Sequence, residues 1–76
     1  MDPLVIVAAI LSTLHAEGPA PDGVIYAGVM DRVSLSSYQG LIAGLIKVGL
    51  IEKEWDQLFL TAAGTAKAKE IDALIN

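Results

Sequence analysis

Leu45-Ile46-Lys47-Val48-Gly49-Leu50-Ile51-Glu52-Lys53 is the stretch in which the chain changes its period. Before it, Leu35, Tyr38, Leu41, Ile42, Leu45 and Val48 recur three and four residues apart, as on a half-buried helix. After it, Ile51, Lys53 and Trp55 alternate with Glu52, Glu54 and Asp56, as along a strand. Gly49 stands between the two, where a helix end calls for left-handed backbone. The pattern predicts a helix over 35–48 and then a strand. Leu58-Phe59-Leu60 returns after a turn around Asp56-Gln57, which makes the pair a hairpin.

The flanking segments are helical. Ser34 or Ser36 caps the 35–48 helix, and Gln39 lies at capping-box spacing from Ser36. A short helix is predicted over 24–32, carrying Ile25, Tyr26, Val29 and Met30. Residues 17–23, dense in Gly and Pro, form a loop. Asp2 and Pro3 suit the N-cap and first position of the opening helix, which runs to His15 or Ala16. One side of that helix is large (Leu4, Ile6, Val7, Ile10, Leu11, Leu14) and the other small (Val5, Ala8, Ala9, Ser12, Thr13, Ala16). A helix apolar all round is buried all round, so the small side is expected to meet another helix. Thr61 caps a final helix bearing Ile71, Leu74 and Ile75.

Composition narrows the function classes. With 76 residues the chain reads as one domain, residues 1–76. There is no cysteine and one histidine, which argues against a structural zinc site, and no cofactor is implied. His15, Glu17 and Asp22 offer no diagnostic metal spacing, and His15 is expected to serve the helix C-terminus. No catalytic constellation or phosphate-binding loop is present, so an enzyme is not predicted. The apolar fraction of 54% and mean hydropathy of +0.58 are high for so short a chain. Surplus apolar surface marks an interface, which points to a homodimer. The run from Leu4 to Leu14 lacks a basic leader and is too short to span a bilayer, so a cytoplasmic protein with no membrane partner is expected.

Leu45-Ile46-Lys47-Val48-Gly49-Leu50-Ile51 resembles the "L-x-x-x-G-L-I" exit of the recognition helix in MarR- and PadR-like regulators. Leu60-Thr61-Ala62-Ala63-Gly64 is similar to the "L-T-x-x-G" start of the helix that follows their wing. The resemblance implies a winged helix-turn-helix: three helices, a small antiparallel hairpin as wing, and a C-terminal helix, mainly α overall. It also implies a dimeric DNA-binding transcriptional regulator, with double-stranded DNA as partner. On that footing residues 35–48 are the recognition helix. Ser36, Ser37, Gln39 and Gly40 would then face base edges, and Arg32, Lys47 and Lys53 would face phosphates. Val5, Ala8, Ala9, Ser12, Ile71, Leu74 and Ile75 are the expected dimer interface.

Charge pulls the other way. The net charge is −4 and the pI about 4.6, whereas nucleic-acid binders carry a basic stripe. The wing sets Glu52, Glu54 and Asp56 against Lys53, a local balance of −2. Gly40, Ala43 and Gly44 leave the exposed side of the third helix bare, and no Arg stands there to take a guanine. These features fit a protein-interaction or assembly module on the same fold. Trp55 is expected to pack across the hairpin on Leu58, or else to meet a partner. Tyr38 is expected in the core with its hydroxyl at the margin, and Tyr26 in the core or on a dimer surface.

Overall fold

In the computed structural model, which describes residues 3–75, Ser34 begins the central helix α3 (Leu35–Lys47) by accepting the Ser37 N–H at 3.2 Å. The cap is therefore Ser34 rather than Ser36. Gln39 falls outside the capping box and remains exposed. The helix ends as Gly49 anticipates. Leu50 N–H reaches Leu45 C=O at 3.0 Å and Gly49 N–H reaches Ile46 C=O at 3.1 Å, with Gly49 at φ +84°. These two bonds satisfy carbonyls that a helix end would otherwise leave open.

The remaining elements are α1 (Pro3–Glu17), β1 (Ala20–Pro21), α2 (Asp22–Val29), β2 (Ile51–Glu54), β3 (Gln57–Leu60) and α4 (Ala62–Ile75). The protein is mainly helical, with a small antiparallel three-stranded sheet in the order β1-β3-β2. β1 was not anticipated in the 17–23 loop. Ala20 pairs with Leu58 and Pro21 with Gln57 along the free side of β3. Between β2 and β3, Ile51 pairs with Leu60 and Glu54 with Gln57. The turn is consequently Trp55-Asp56, not Asp56-Gln57.

The core lies where α1, α3 and the sheet converge. Ile6, Ile10, Leu11 and Leu14 of α1 meet Ile25, Val29, Tyr38, Ile42, Leu45, Ile51, Leu58 and Ala68. Burying each large aliphatic side chain contributes roughly 1.5–3 kcal/mol. Tyr26 and Tyr38 stack in a tilted pair, with ring centroids 4.9 Å apart. Tyr26 thus packs within its own chain.

The two segments that carried the family resemblance interlock. Thr61 Oγ donates to Gly49 C=O at 2.5 Å and accepts the Gly64 N–H at 3.0 Å. Thr61 N–H donates to Leu50 C=O at 3.1 Å. A Cβ placed on Gly64 would come within 1.8 Å of the Leu50 carbonyl oxygen. Only glycine lets α4 start this close to the exit of α3.

The small side of α1 is divided: Ser12 meets α4 of the same chain, Ala9 and Thr13 border a cleft shared with α2, and Val5, Thr13 and Ala16 are exposed. Ser12 Oγ donates to Asp72 Oδ1 at 2.8 Å, and His15 Nδ1 lies 3.1 Å from Asp72 Oδ2. The first of these hydrogen bonds, followed by the second, holds the Asp72 carboxyl below the usual carboxylate range. Asp72 is thus the tie between α1 and α4.

Candidate interaction surface

Two clefts flank α3, and they divide the residues expected to touch nucleic acid. One, of about 440 Å³, has Ile6, Val33 and Leu41 as its apolar lining and Arg32, Ser34, Ser37 and Gly40 around them. The other, of about 210 Å³, lies between α3 and the hairpin, lined by Gln39, Ile42, Ala43, Ile46, Asp22 and Lys53. Ser36 and Lys47 are exposed and border neither cleft.

Of the polar candidates, two are committed inside the chain. Ser37 is part of the α3 cap: its N–H donates to Ser34 Oγ, and the two hydroxyls lie 3.0 Å apart. Lys53 Nζ sits 3.2 Å from Asp22 Oδ2. Asp22 thus offsets part of the Lys53 charge before any phosphate approaches, although the pair is partly exposed to solvent. Ser37 and Lys53 are exposed nonetheless, as are Arg32, Ser36, Gln39, Gly40 and Lys47.

Asp22 is a hub that sequence reasoning did not find. Its N–H donates to Asp56 C=O at 2.6 Å, and its carboxylate takes the Tyr38 hydroxyl at 2.6 Å. The same hydroxyl lies 3.3 Å from Asp22 C=O. α2, α3 and the hairpin are thereby joined through one side chain. Burial, and then the neighbouring Asp22 carboxylate, push the Tyr38 phenol well above its ordinary range. The sequence left Asp22 in the 17–23 loop before a helix over 24–32, whereas α2 begins at Asp22 itself and ends at Val29.

The exposed side of α3 is more apolar than its spacing implied. Tyr38, Ile42 and Leu45 are buried and Leu41 half-buried, but Leu35 is 51% exposed and Val48 68%. Both stand at the helix ends, past the reach of the core. Ile46 and Met30 are exposed as well. Trp55 does not pack on Leu58, which faces Lys53 in the sheet and is fully buried. Trp55 occupies the turn and is 91% exposed.

No family model matches the chain, and no curated protein or solved structure matches it.

The expected dimer residues are similarly divided. Ser12 bonds Asp72, while Ala9 and Ile71 pack against the core of their own chain. Ala8 is half-buried. These four are half-buried by their own chain, Ser12 by its bond to α4 and Ala9 beside α2. Val5 and Leu74 are exposed, and the side chain of Ile75 lies outside the described residues, as does the Asp2 cap. Among the described residues no helix is long and apolar enough to cross a membrane. No group of three His, Asp or Glu among them is placed to hold a metal.

Proposed function

We propose that the chain is a winged-helix domain serving as a non-catalytic protein-interaction module, with α3 and the hairpin as its docking side. The observation that carries this is the Lys53–Asp22 ion pair at 3.2 Å. It leaves Arg32 and Lys47, among the described residues, as the cations of that side outside an ion pair, against Glu52, Glu54 and Asp56. Phosphate neutralisation supplies most non-specific nucleic-acid affinity, and this surface offers little of it. Its exposed groups include the apolar Leu35, Ile46, Val48 and Trp55 and the small Gly40, Ala43 and Gly44. The arrangement supporting a winged helix is the helix order with its β1-β3-β2 sheet, together with the interlocked Gly49 and Thr61 segments.

A DNA-binding regulator is the second reading. It is favoured by Arg32, Ser34, Ser37 and Gly40 gathering around one cleft at the N-terminal half of α3, with Ser36 and Gln39 exposed nearby. Fluorescence anisotropy against mixed duplex DNA, from low to physiological salt, separates the two. The interaction reading expects no saturable binding by folded protein. It also expects a folded Gly44→Leu variant to lose proteins that the wild-type chain captures. Salt-sensitive DNA binding that weakens in Arg32→Ala/Lys53→Ala would overturn it in favour of the regulator.

A further inference from the structure

Trp55 combines two features that are unusual for a tryptophan. Its side chain is 91% exposed, leaving the chain's only indole in water. Its backbone has φ +60°, and among the described residues it is the only non-glycine at positive φ. That region is uncomfortable for a bulky L-residue and natural for Gly or Asn. The position is nevertheless well held. The neighbouring Asp56 C=O accepts the Asp22 N–H at 2.6 Å, and Lys53 is tied to the Asp22 carboxylate. The hairpin is thus braced against α2 while it presents an indole outward. Strained, exposed aromatics on a fixed scaffold are the kind of group that anchors interfaces.

Resting on the interaction reading, we propose that Trp55 is the anchor of the docking side and that its partner is a protein surface bearing Lys or Arg around an apolar socket. The flanking charges select that chemistry. Glu54 and Asp56 adjoin Trp55, Glu52 lies farther along β2, and Lys53 is already paired. A nucleic acid or an anionic membrane would meet these acids with like charge. A basic protein surface meets them with opposite charge, and its cations can also stack on the indole face.

The sole tryptophan is its own reporter. The probes are an amphipathic helical peptide of Leu and Lys, its Leu/Glu counterpart, and a Lys-only peptide. Titration with the Leu/Lys peptide should shift Trp55 emission to the blue and saturate, and the other two should not produce this. Trp55→Gly should raise the urea midpoint, because the backbone strain is relieved. By calorimetry it should also weaken Leu/Lys binding about tenfold or more. Opposite signs for stability and binding are what a merely structural tryptophan would not give. Equal binding by Trp55→Gly would overturn the anchor while leaving the interaction reading in place, since Gly44→Leu and DNA titration test that separately. Equal binding of the Leu/Glu peptide, or none of the Leu/Lys peptide, would overturn the assigned partner chemistry.

Discussion

The Tyr38 hydroxyl donates to the Asp22 carboxylate at 2.6 Å, across the junction of α2 and α3. The ring is almost wholly buried, so the bond is made where water competes poorly. Asp22→Ala should cost about 1–3 kcal/mol, chiefly by leaving the buried hydroxyl without its carboxylate. Asp22→Asn keeps an acceptor and should cost less. Urea midpoints check both. In a double-mutant cycle, Asp22→Ala with Tyr38→Phe should cost less than the two single changes added together.

Alkali should act through the same pair. The Tyr38 phenol is raised in the folded state, by burial first and then by Asp22. Its stabilising effect is full below the ordinary phenol value, about 10. It is lost as pH rises from there through the raised folded value. A stability-versus-pH curve should therefore fall more steeply above about pH 10 for the wild type than for Tyr38→Phe. In ultraviolet titration, Tyr38→Phe should remove the latest-ionising phenolate.

Glycines of this chain should respond to alanine with opposite signs. Gly64→Ala drives a methyl into the Leu50 carbonyl and should cost about 3 kcal/mol, the upper end for an inserted methyl. A Cβ on Gly40 or Gly44 meets nothing within 4 Å. Alanine at either should stabilise α3 by about 0.8–1 kcal/mol from helix propensity alone. Thermal or urea melts of the three variants test this. Equal destabilisation of all three would contradict the packing described.

The tie between the terminal helices should loosen in acid. The Asp72 carboxyl is held low by Ser12 and then His15. A lowered carboxyl stabilises above its unfolded value, about 3.9. That contribution fades as pH falls through the folded value. Asp72→Asn should therefore flatten the acid limb of a stability-versus-pH curve. Ser12→Ala should shift the limb to higher pH, because the carboxylate loses its principal hydrogen bond.

What could be read in advance followed the strength of each local signal. Gly49 and Thr61 were legible because helix ends demand particular residues. The Tyr38, Ile42 and Leu45 face was legible from period alone. Leu35 and Val48 share that period but stand at the helix ends, where the core stops. β1 was hidden because Ala20-Pro21 is too short to show alternation and carries a residue that usually marks a loop. Trp55 was misplaced because the turn takes it at a φ that its residue type disfavours. The pairings of Asp22 with Lys53 and Tyr38, and of Ser12 with Asp72, join residues distant in sequence. No local pattern announces them, yet they decide which candidate site residues remain free.

The order β1-β3-β2 makes β1 and β2 the rims of the sheet. One rim is the brief Ala20–Pro21 segment, whose proline cannot donate. The other carries Glu52, Lys53 and Glu54 in succession, all exposed. A visiting strand would find few usable donors on the first and crowded ionic side chains on the second. Rims of this kind resist fibril growth and runaway polymerisation. A chain with so much apolar content can therefore expose an indole at its turn without recruiting copies of itself through the sheet.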